Sequence, residues 1–97
     1  MKISKLHKYD DPGHGWVKTT YQTLEILGIE GNISHYSYRQ GNTVWLEEDC
    51  DAPVLIRTLK GLGNKVEIIP HLRDSQSPIR YKDPYYQSSE LDTKCED

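Results

Sequence analysis

The sequence has little that is apolar and no long run of it. Hydrophobic residues make up 35% of the chain, against about 45–50% for ordinary domains on a count that includes glycine. No stretch approaches the roughly 20 apolar residues of a membrane-spanning helix. Neither sign of charge dominates: 12 Lys and Arg face 15 Asp and Glu. That excludes a strongly basic nucleic-acid binder and a disordered polyelectrolyte. Cysteine is scarce, and Cys50 and Cys95 form neither a CxxC pair nor a Cys/His zinc spacing. There is no internal repeat, and neither spacing of a phosphate-binding glycine loop is present. Residues 1–9 have no apolar run, so no signal peptide is expected. A reducing cytoplasm with free thiols follows as the default. A disulfide tying the tail to Cys50 is the alternative.

What is present fits one small domain of 97 residues. The formal net charge of −3 is uneven. Residues 1–84 balance, and the excess lies in 87–97 through Glu90, Asp92, Glu96 and Asp97. The expected organisation is one α+β domain over 1–86, its stretch 70–86 irregular and wrapping. A solvated acidic tail follows over 87–97.

Residues 1–13 are polar and end in an Asp-Pro-Gly turn signal. Residues 15–19 suit a strand. Thr19 with Gln22 fits a capping box, and Tyr21, Leu24 and Leu27 recur at helical spacing up to Gly28. Residues 33–39 alternate and predict a strand; 43–46 return from a Gly-containing loop as a hairpin partner. That hairpin puts Val44 and Leu46 on one face and Thr43 and Trp45 on the other. Asp51 before Ala52-Pro53 predicts a capped helix, with Leu55, Leu59 and Leu62 as its stripe. Residues 65–69 close the set as a strand. The order strand-helix-strand-strand-helix-strand points to a ferredoxin-like or similar small sandwich. Its expected core is Val17, Leu24, Leu27, Val44, Leu46, Leu55, Leu59, Val66 and Ile68.

Three groups of residues can carry chemistry. Gly13-His14-Gly15-Trp16 combines permissive backbone with an imidazole. It can form an anion nest, supply a base or ligate a metal, with Arg80 reaching a ligand phosphate. The plain alternative is a tight turn with Trp16 in the core. Glu47, Glu48 and Asp49, with Asp51, read first as capping and solvation and next as a surface for a basic partner protein, and they can also bind a cation or work as acid and base. Cys50, near a helix start, reads as a small buried thiol. Tyr36, Tyr38, Arg39 and Trp45 suggest an outer sheet face. Such a face suits a protein partner or plain cross-strand packing. Nucleic-acid stacking is disfavoured by the neutral body.

The strings D-P-G-H-G-W at 11–16, Y-S-Y-x-x-G at 36–41, L-E-E-D-C-D at 46–51 and S-P-I-R at 77–80 resemble a set of small proteins encoded by phages and prophages. The resemblance spans about residues 7–85, and no activity comes with it. It implies a phage-borne accessory protein. The leading expectation is therefore a non-enzymatic protein that binds a host protein, for instance to inhibit a defence system. No cofactor or membrane is expected. A small-ligand or nucleotide binder using the Gly-His-Gly-Trp turn is the first alternative. A small hydrolase-like enzyme using His14 and the nearby carboxylates is the second. Convergence of His14 with the acids favours a site, and their dispersal favours a binding surface.

Overall fold

The computed structural model of the chain describes residues 2–75 and 77–85, without the side chains of Lys2, Arg80 and Tyr81. The acidic stretch 87–97 lies outside the described residues. The fold is α+β, a six-stranded open sheet with two helices. In chain order the elements are β1 (Lys2–Asp10), β2 (Gly15–Thr20), α1 (Tyr21–Leu27), β3 (Tyr38–Gln40), β4 (Thr43–Glu47), α2 (Ala52–Gly61), β5 (Asn64–Leu72) and β6 (Asp83–Pro84). The strand order across the sheet is β5-β1-β2-β4-β3-β6.

Each helix is set by a local signal. The Thr20 hydroxyl accepts from the Thr23 backbone N–H at 3.1 Å, one residue beyond the expected cap. Gly28 ends α1 at φ 74°, which glycine adopts without strain. Pro53 sits in the first turn of α2 as expected. Asp51 is its N-cap residue, but its side chain makes no cap hydrogen bond. The carboxylate turns inward instead and is 1% exposed. It accepts from the Ser34 N–H at 3.0 Å, the Ser34 hydroxyl at 2.7 Å and the Ser37 hydroxyl. Those bonds hold 34–37 as a turn, so the strand expected over 33–39 shrinks to Tyr38–Gln40.

The largest departure is β1. It pairs antiparallel with β2 (Tyr9 opposite Trp16) and parallel with β5 (Lys2 opposite Asn64 through Asp10 opposite Leu72). It thereby separates β2 from β5, which the simple four-stranded scheme makes neighbours. Helix α1 joins parallel β2 and β3 with antiparallel β4 between, the split βαβ connection, whereas α2 joins parallel β4 and β5 across both β2 and β1.

Alternation sorts the side chains onto two faces. Val17 lies opposite Leu46 on the helix side, where both pack with Leu24, Ile29, Ile33, Val44, Ala52 and Leu55. Leu27 and Leu59 are only partly buried against this core, Val66 is half-buried, and Ile68 is 41% exposed. Val66 and Ile68 lie on β5, which is an edge strand of the sheet. On the opposite face Trp16 is 2% exposed and contacts Tyr38 edge-on at 6.2 Å. The segment after β5 crosses this face and buries Ile79. It is held by Asp11, whose carboxylate accepts from the Ser77 N–H at 2.8 Å. β6 then pairs with β3, and Tyr85 enters the helix-side core, its hydroxyl donating to the Glu30 carbonyl at 2.7 Å.

Candidate functional site

The turn between β1 and β2 is built by Asp11. Its Oδ1 accepts from both the Gly13 and the His14 N–H at 2.9 Å, and its own N–H donates to the His14 carbonyl. The backbone nest expected here therefore exists, but the chain's own carboxylate fills it. Gly13 and His14 spend their amides internally, Gly15 and Trp16 are buried, and the Arg80 side chain lies outside the described residues. An anion site made of these residues is not what the turn presents.

The His14 side chain is exposed and points at the acids instead. One ligand atom each from His14, Glu47 and Glu48 lies within 4.8 Å of the others. The strands bring them together: Trp16 is opposite Glu47, and the Glu48 N–H donates to the Gly15 carbonyl at 3.1 Å. Gly15 sits at the centre of this junction, where any larger residue would displace the ends of the Asp10 and Glu48 side chains. A Cβ there would come to 2.1 Å from Asp10 Oδ1 and 2.9 Å from Glu48 Oε1. Asp49 is exposed and stands outside the trio.

Lys8 crosses the same corner, its Nζ 3.0 Å from Glu48 and 3.3 Å from Asp10. The hydrogen bond to Glu48 raises the Lys8 pKa above its ordinary value; desolvation opposes this and Asp10 adds to it. Glu47 Oε1 accepts from the Asp49 and Cys50 N–H at 2.9 and 2.7 Å. Burial pushes the Glu47 carboxyl above the usual range. These two N–H bonds pull it down, and Asp49 and Glu48 repel it further. Asp10 and Glu48 thus share one lysine at this corner, and Glu47 stands beside Glu48 without that pairing. Cys50 is disulfide-bonded rather than a free thiol; Cys95, the chain's other cysteine, lies outside the described residues.

The expected aromatic face is only partly assembled. Tyr38 and Trp45 are opposite one another on β3 and β4, with Trp16 beside Tyr38. Arg39, one residue on, projects to the other side, its guanidinium 3.8 Å from the centre of the Tyr21 ring. Tyr36 sits in the 34–37 turn, 47% exposed and beside His35.

Two features were not singled out from the sequence. The clamps Asp11 and Asp51 are aspartates whose partners lie up to 66 residues away. A pocket of about 420 Å³ also opens on the outer face, with Tyr9, Lys18, Trp45, His71, Arg73 and Lys82 among its lining. No spacing could announce either. The four sequence motifs nevertheless meet: Asp11 bonds Ser77, Ser37 bonds Asp51, and Glu48 bonds Gly15. No family model matches the chain, and no curated protein or solved structure is found similar to it.

Proposed function

We propose that this protein works through a divalent transition-metal ion held by His14, Glu47 and Glu48. One observation carries this. Two segments more than thirty residues apart present an imidazole and two carboxylates with ligand atoms within 4.8 Å of each other. One nitrogen and two oxygens suit zinc or manganese. Three protein ligands at an exposed rim leave coordination positions for water and substrate. Such an ion polarises a carbonyl or phosphoryl oxygen and lowers the pKa of its bound water, so the reaction class that fits is metal-assisted hydrolysis. The acids around Lys8 are left with surplus negative charge, which a dication would offset. A phage-borne accessory protein would enter the bacterial cytoplasm, a reducing setting in which the disulfide at Cys50 is not the usual state of a cysteine.

Titration calorimetry of the full chain with Mn²⁺ and Zn²⁺ tests this. One saturable site is expected, weakened at least tenfold by His14→Ala and by Glu48→Gln, and unchanged by Asp49→Asn. Mn²⁺ affinity that ignores His14→Ala would overturn the reading.

Binding of a host protein, the first expectation from the sequence, has one favourable feature, the exposed Tyr36 on a turn pinned by Asp51. Capture of one stoichiometric partner from bacterial lysate, lost in Tyr36→Ala and kept in His14→Ala, would favour that surface over the metal centre.

A further inference from the structure

The pocket on the outer face lies apart from the metal trio and has its own chemistry. Its floor is strand: Tyr9 of β1, Lys18 of β2 and Trp45 of β4, with Lys18 directly opposite Trp45. Its rim is the end of β5 at His71 and Leu72 together with Arg73, Ser77 to Ile79 and Lys82 from the chain that follows. Two ring surfaces are already in place. Tyr9 and His71 stack with centroids 4.5 Å apart and planes 11° from parallel. Trp45 lies below Lys82, whose Nζ is 5.7 Å from the indole centroid.

The charge here is one-sided. Lys18, Arg73 and Lys82 line the pocket, and among the described residues none has a carboxylate within ion-pair distance. The pocket's one acid, Asp10, is engaged by Lys8. Cations with no carboxylate partner among the described residues, set around the half-buried Tyr9 and Trp45 rings, attract an anion that carries a ring of its own. The volume, about 420 Å³, falls in the range of small-molecule sites. A single strand would instead need a continuous basic groove, and the 77–82 segment closes this bay on one side.

We infer that this pocket binds a mononucleotide, its base on Trp45 and its phosphate among Lys18, Arg73 and Lys82. The ligand class matches the one expected for the Gly-His-Gly-Trp turn, but the residues are different. The inference does not depend on the metal centre.

The test uses the full chain and the four common ribonucleoside monophosphates. Calorimetry gives affinities, and the Trp45 indole N–H resonance, assigned by its loss in Trp45→Phe, reports the site. At least one monophosphate should bind tenfold more tightly than its nucleoside and than inorganic phosphate, and more weakly as salt rises. Lys18→Glu should cost at least tenfold in affinity; Lys18 is exposed, so folding is not at stake. His14→Ala should change nothing. The inference fails if no monophosphate moves the Trp45 signal at millimolar concentration. It fails equally if Lys18→Glu binds as well as the parent, or if an oligothymidylate binds more than tenfold tighter than every monophosphate.

Discussion

Val17, Val44 and Leu46 look toward the helices; Trp16, Lys18 and Trp45, their immediate neighbours along β2 and β4, look away. The helix side is apolar and closed by α1 and α2. The other side is aromatic and cationic, and is covered only by irregular chain tied down through Asp11 and Ser77. One set of backbone hydrogen bonds serves both. The lesson is a division of labour: stability rests on one face, and the groups able to meet a ligand stand on the other or at its rim.

That division can be broken by experiment. Leu46→Ala empties a fully buried position and should cost about 2–5 kcal/mol in urea unfolding. Lys18→Ala, opposite in orientation and exposed, should stay within about 0.5 kcal/mol. Equal losses would erase the distinction between the faces. Next in size is Asp51→Ala, which strips the acceptor from an N–H and two hydroxyls and should cost about 2–3 kcal/mol. Asp51→Asn, which keeps one acceptor oxygen, should cost less. Denaturant midpoints of the two variants check this order.

The smallest effect belongs to the rim. Glu47 has its folded pKa raised by burial. It therefore favours folding below its unfolded pKa, and that contribution is lost as pH rises through the folded value. Glu47→Gln removes this slope while its amide oxygen can still accept from Asp49 and Cys50. Stability at neutral pH should rise by less than about 0.5 kcal/mol, because the group is partly exposed and screened. The gain should vanish near pH 4. A variant less stable than the parent at pH 7 would place Glu47 with Asp51 among the structural acids.

Much of the frame was legible. Leu24 and Leu27 before Gly28, and Leu55 and Leu59 after Pro53, announced both helices because amphipathic spacing and end signals agree. Val44 and Leu46 alternate with Trp45 as a half-buried strand must. β1 was illegible because it has no apolar face: Ser4, Leu6, Lys8 and Asp10 share one side, and Ile3, Lys5, His7 and Tyr9 the other. Pairing on both edges, rather than burial, makes it a strand. Residues 33–37 misled for the opposite reason, since their Tyr-rich alternation suits a sheet until Asp51 claims Ser34 and Ser37. Of the site, the residue types in Gly-His-Gly-Trp and Glu-Glu-Asp were visible, but their meeting was not. Register across β2 and β4 brings His14 to Glu47 and Glu48, and register is a property of the pair of strands.

The central place of β1 has a kinetic side. Among the described strands it is made before the others, yet one of its two neighbours, β5, comes after β2, β3 and β4. Its hairpin with β2 can close early and locally. The parallel ladder must wait until almost the whole described chain exists, and then close a long loop. Non-local parallel pairing is slow. During synthesis β1 is therefore half-paired, with one open edge, and β5 is the strand that ends its exposure.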